Sequence, residues 1–169
     1  MHLPRRFDDA LMHPPEAGGA GDASLLASLR TWCEGGASSV PAEPLRIASM
    51  APHAGLDAAA CVLDGSDELA RLGRWRGLLW RLQILWREQG AGPGAHPGDP
   101  WDCGWWRQGP LGPAAAFRPR RPTLLMLREP EPGAAAALMD TLRASSAAYA
   151  RPLRVLVVSA APWAGMERL

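Results

Sequence analysis

The fold is decided by the stretch Thr123-Leu124-Leu125-Met126-Leu127, Arg128-Glu129-Pro130-Glu131-Pro132-Gly133, the alanine-rich run Ala134 to Ala150, Pro152, and Leu153-Arg154-Val155-Leu156-Val157-Val158. The first and last pieces are short, nearly continuous apolar runs, as in strands buried on both faces. Between them, Leu138, Leu142, Ser145 and Tyr149 recur on one helical face, with Met139 beside them. Pro132 suits a first helical turn, Glu129 and Glu131 suit the positive end of the helix dipole, and Pro152 stops the helix. Strand, helix and strand make a βαβ unit with a right-handed crossover.

Two buried parallel strands need neighbours. Leu45-Arg46-Ile47-Ala48-Ser49-Met50 alternates with a period of two and supplies one. Ala58-Ala59-Ala60-Cys61-Val62-Leu63, closed by Asp64-Gly65, is read as another. The expected fold class is α/β: a small single domain of about four mainly parallel strands with covering helices. One helix runs from about 24 to 34, capped by Asp22 or Ser24 and ended by Gly35-Gly36.

A second helix begins near Asp64 or Ser66, where Asp67 and Glu68 oppose the dipole. Along it Leu72, Trp75, Leu79, Leu82 and Trp86 recur at intervals of 3, 4, 3 and 4, one face over four turns. Leu78, Leu85, Trp80 and Ile84 widen that arc, and Arg74, Arg81 and Glu88 mark the other side. The simplest expectation packs the stripe on the sheet, with Trp80 and Ile84 left to face a neighbour. Gly73 and Gly77 invite close approach of another backbone.

Residues 1–22, with Pro14-Pro15 and Gly18-Gly19-Ala20-Gly21, read as a mobile arm ahead of a domain spanning 23–169. Residues 91–122 read as a long loop holding Trp101, Trp105 and Trp106, which must cover some surface, the chain's own or a partner's.

Composition narrows the chemistry. The 169 residues include 18 Gly, 17 Pro and 8 Trp, and every one of the 18 basic residues is Arg. Lys and Asn are absent and Ala is abundant, the pattern of a GC-rich source, so the arginines are not by themselves a phosphate signature. Residues 1–70 carry 4 Arg against 10 acidic residues, and residues 71–128 carry 10 Arg against 3. That asymmetry marks an interaction surface, or lets two parts of one fold attract each other. There is no apolar run of transmembrane length and no leader pattern after Arg5-Arg6, so a cytoplasmic protein is expected and a membrane partner is not.

No catalytic constellation stands out. Arg128-Glu129-Pro130-Glu131-Pro132-Gly133 matches neither Gly-rich nucleotide motif. Asp99 and Asp102 beside Trp101 read as turn formers. Cys103 with His96 is the one Cys–His pair close in sequence, and Cys33, Cys61 and Cys103 read as free thiols. The histidines at 2, 13, 53 and 96 lack metal-ligand spacing. No cofactor, metal or catalytic residue is therefore assigned.

What remains is Trp and Arg. The leading expectation is a non-catalytic accessory or assembly protein that binds a protein partner, or itself, through Trp75, Trp80, Trp86, Trp101, Trp105, Trp106, Arg107, Arg118, Arg120 and Arg121. One alternative is a single-stranded nucleic-acid binder, with Trp105, Trp106 and Phe117 stacking among Arg107, Arg118, Arg120 and Arg121. Another is a small enzyme at the carboxyl edge of the parallel strands, around Arg128, Glu129 and Ser159.

Overall fold

A computed structural model of the chain describes residues 7–16, 21–35, 43–65, 72–90, 99–161, 163 and 165–169. Six strands form one sheet in the order β1-β3-β4-β5-β2-β6: β1 Met12–His13, β2 Leu45–Met50, β3 Asp102–Trp106, β4 Thr123–Arg128, β5 Leu153–Val158 and β6 Glu167–Arg168. All neighbours run parallel except β1, which pairs antiparallel with β3. The helices are α1 Ala23–Glu34, α2 Leu56–Leu63, α3 Arg74–Gly90, α4 Gly112–Ala116 and α5 Pro132–Ser145.

The βαβ unit forms, but its helix ends at Ser145 rather than running to Ala150, so it is not Pro152 that stops it. β4 and β5 pair directly from Thr123↔Leu153 to Arg128↔Val158, joined by α5 and the 3-10 turn Ser146–Ala148. Glu131 caps α5, its carboxylate accepting from the Gly133 and Ala134 N–H groups at 3.0 and 2.7 Å. β2 lies on the other side of β5, in register from Leu45↔Leu153 to Met50↔Val158.

Alternation splits the core into two layers. Leu125, Leu127, Leu153, Val155 and Val157 pack with Leu138, Met139 and Leu142 of α5 and Ala114 of α4. Leu124, Met126, Leu156 and Val158 pack with Leu25, Leu29 and Trp32 of α1 and Leu56, Ala59, Ala60 and Leu63 of α2. The result is a three-layer α/β/α domain. Asp22 caps α1, accepting from Ser24 and Leu25 N–H at 2.8 and 3.2 Å, and Gly35 ends it at φ 84°.

Three expectations need correction. Ala58–Leu63 is not a strand but most of α2. Its buried positions, Leu56, Ala59, Ala60 and Leu63, follow helical spacing. Three alanines favour a helix, and Asp64-Gly65 is its exit, with Gly65 at φ 74°.

The stretch 91–122 is not wholly a loop. It holds β3, whose five residues are all buried, and α4. Trp101, Cys103 and Trp105 alternate into the α1/α2 layer, while Trp106 enters the α5 layer. The buried Asp102 is matched by Arg121 at 3.1 Å.

The expected arm is in part docked. Phe7, Leu11 and Met12 are buried in the α5 layer, and β1 closes the β3 edge. Gly104 admits it: a Cβ there would stand 2.9 Å from the His13 carbonyl oxygen. Residues 17–20, 36–42, 66–71 and 91–98, including His96 and the expected helix start at Ser66, Asp67 and Glu68, lie outside the described residues.

Candidate functional site

Two features stand apart from the packed layers. The first is a cleft of about 420 Å³ at the carboxyl edge of the sheet, lined by Pro52, His53, Ala54, Leu56, Asp57, Trp105, Arg128, Glu129 and Val158. Topology makes it. β2 leads into α2 on one face, while β3 and β4 lead into α4 and α5 on the other. Chain paths that part to opposite faces leave a crevice beyond the strand ends, where open α/β sheets place ligands.

Its side chains are mostly held by one another. Asp57 accepts from Trp105 Nε1 at 2.6 Å and pairs with Arg128 Nη2 at 3.2 Å. The Arg128 guanidinium stacks 4.2 Å over the Trp105 ring, a contact worth about 0.5–1 kcal/mol at an exposed site. His53 Nδ1 accepts from Gly55 N–H at 3.1 Å, which leaves Nε2 to carry the proton in the neutral ring, 3.4 Å from Asp22 Oδ2. Glu129 has φ 39°, an unusual backbone state for a residue with a Cβ. Its carboxylate accepts from Ser159 Oγ at 3.1 Å and from Ala160 N–H at 2.8 Å, tying the β4 and β5 exits together. Arg128, Glu129 and Ser159 are thus brought to one edge.

The second feature is α3. Among the described residues, the exposed large hydrophobics are all on it: Trp75 and Trp86 at 80%, Leu79 at 66%, Leu82 at 47% and Leu78 at 42%. The expected packing is inverted. Trp80 and Ile84 face the body of the protein, and the Leu79/Leu82 stripe faces out. At about 100° per residue, Trp80 and Ile84 lie roughly opposite Trp75 and Leu82. Gly77 is buried on the inner side, and the Trp80 ring tip stands 3.0 Å from where a Gly65 Cβ would be. A flat indole over a glycine fixes that face inward, since no side chain intervenes.

The other expected binding residues divide by burial. Trp101, Trp105, Trp106 and Arg121 are buried, so they present no docking surface in this structure. Phe117 is buried with them, so the stacking platform anticipated for single-stranded nucleic acid does not form. Arg107, Arg118 and Arg120 are exposed. Arg118 donates to the Ala115 and Phe117 carbonyl oxygens at 3.0 and 2.7 Å.

Burial raises the Cys103 thiol well above its ordinary range, against any nucleophilic role. Sequence reading missed Asp57 and Trp105 as partners of Arg128. Only the strand order brings residues so distant in the chain together, and no local pattern announces it.

Among the described residues no helix is long and apolar enough to cross a membrane, and no group of three potential metal ligands is gathered. Compared with protein-family models, curated proteins and solved structures, the chain matches none of them.

Proposed function

We propose that this chain is a non-catalytic accessory module that docks on another protein through the outward face of α3. What supports the reading is one observation: Trp75, Leu78, Leu79, Leu82 and Trp86 form a single exposed apolar stripe, while the rest of the large apolar side chains described are at least half covered. Contiguous exposed apolar surface of that kind marks interaction sites, and Trp is prominent among interface anchors. The leading set of contact residues narrows to Trp75 and Trp86, with Trp80 as the anchor that orients the helix.

The test is a photo-crosslinking amino acid placed at Leu79 in expressing cells, with the same residue at exposed Asp140 as control. A discrete protein adduct from position 79 and none from position 140 is expected. Equal, diffuse labelling from both positions overturns the reading.

A second reading, a small enzyme or ligand-binding site at the carboxyl edge, is favoured by the meeting of Arg128, Glu129 and Ser159 beside the cleft, with Glu129 at φ 39°. Local strain of that kind recurs at functional sites. Thermal melts with acetate, benzoate or inorganic phosphate test it. A rise in Tm that Arg128→Ala removes supports it, and a flat panel overturns it.

A further inference from the structure

Taking the docking face of α3 as its premise, we infer that the occupant is an acidic amphipathic helix of another protein. Two independent features carry this. The first is the period of the stripe. On α3, Trp75, Leu79, Leu82 and Trp86 follow intervals of 4, 3 and 4, the a/d spacing of a helix–helix seam. A flat lipid surface or an extended peptide imposes no such narrow seam. Leu78 and Leu85 lie along one border of it, and Arg76 lies along the other.

At about 1.5 Å per residue, the twelve positions from Trp75 to Trp86 offer a seam of about 18 Å, enough for about three turns of a partner helix. Gly77 and Ile84 are buried on the inner side and the Trp80 ring tip lies over Gly65, so the stripe is turned outward. The partner therefore meets a preformed surface, which lowers the ordering cost of binding.

The second feature is charge. Along α3, Arg74, Arg76, Arg81 and Arg87 stand against one acidic residue, Glu88, so the helix is net cationic, and exposed Arg76 borders the stripe. A second copy laid against the stripe would bring one cationic helix against another, and like charges across a seam disfavour that pairing. A partner helix with Asp or Glu beside its apolar seam satisfies both features at once.

The experiment uses the full chain and three synthetic helical peptides of equal length. One has a Leu seam flanked by Glu, one has the same seam flanked by Lys, and one has Glu flanks with the seam leucines replaced by Ser. Binding is read by intrinsic Trp fluorescence and by titration calorimetry. The Glu-flanked Leu peptide is expected to bind at least tenfold more tightly than either of the others. That preference should shrink between 50 and 500 mM NaCl, about a threefold drop in Debye length. It should also shrink in Arg76→Glu, and binding should be lost in Leu79→Gln/Leu82→Gln.

Equal binding of the Glu- and Lys-flanked peptides overturns the acidic partner but leaves the docking face standing. Binding of neither peptide, with a dimer in sedimentation equilibrium that Leu79→Gln/Leu82→Gln dissolves, replaces the partner with a second copy. Binding only to vesicles of phosphatidylserine and phosphatidylcholine replaces it with a lipid surface. A monomer indifferent to peptides and vesicles overturns this inference; the crosslink at position 79 then decides the docking reading separately.

Discussion

Replacing Trp101 and Trp75 by alanine, one at a time, tests the division between buried and outward tryptophans on which the docking face depends. Trp101 is fully buried among α1, α2 and the sheet, so Trp101→Ala removes packing on every side. Truncating a core Trp costs about 3–5 kcal/mol. For a domain of ordinary stability, about 5–15 kcal/mol, that is a large share of the total. Trp75 is 80% exposed, so about one fifth of its surface is covered. A fully buried Trp hides about 150–250 Å², so Trp75 hides about 30–50 Å². At about 25 cal/mol per Å² that is worth about 1 kcal/mol. Alanine returns about 0.5 kcal/mol through its better helix propensity, which leaves a net loss of about 0.5 kcal/mol or less. Urea denaturation followed by far-UV circular dichroism measures both variants without relying on the fluorophore being changed. Similar losses in the two, or a loss above about 2 kcal/mol for Trp75→Ala, would mean that the stripe packs on the protein, and the docking face would go with it.

Three further outcomes are expected. Asp102→Asn should be strongly destabilising, because it breaks the buried Asp102–Arg121 ion pair; Arg121→Met on that background should recover part of the loss in a double-mutant cycle. Iodoacetamide at pH 8 should label the partly exposed Cys61 on the native protein and reach Cys33 and Cys103, whose thiols burial pushes up, only after unfolding, as read by peptide mass spectrometry. Backbone N–H groups hold the carboxyls of Asp22 (from Leu25 and Ser24) and Glu131 (from Ala134 and Gly133) below their usual range. Their contributions are therefore present at neutral pH and are lost as pH falls through the carboxylate range, so Asp22→Asn/Glu131→Gln should flatten the fall in stability below about pH 4.

Buried Arg154 shows how one side chain crosses from the strand pattern to tertiary structure. Its place in β5 reads simply as a polar interruption of an apolar run. In the fold its guanidinium donates to the Cys33 and Glu43 carbonyl oxygens at 3.0 and 2.9 Å, joining the end of α1 to the approach to β2. Burial pulls its pKa down to about 10, still well above neutral, so the charge is retained. It also lies 5.8 Å from the Trp101 ring.

Local pattern determined β2, β4, β5, α1 and α5, because each has a clear apolar period and the helices have a cap that acts within a few residues: Asp22 and Gly35 for α1, and Glu131 for α5, which ends at Ser145, well short of Pro152. The same logic failed at Ala58–Leu63, where alanine's small side chain blurs the contrast between inside and outside. It failed again at Asp102–Trp106, where Asp and Gly look like turn formers until Arg121 neutralises one and β1 packs on the other. The period of 3 and 4 in α3 was legible, but which way the stripe points was not. A helix with apolar residues on two sides can bury either, and only the glycine at 65, under the Trp80 ring, together with the small Gly77, settles the choice. The carboxyl-edge cleft likewise depends on strand order, because Asp57, Trp105 and Arg128 become neighbours only after β3 and β4 are inserted on the far side of β5 from β2.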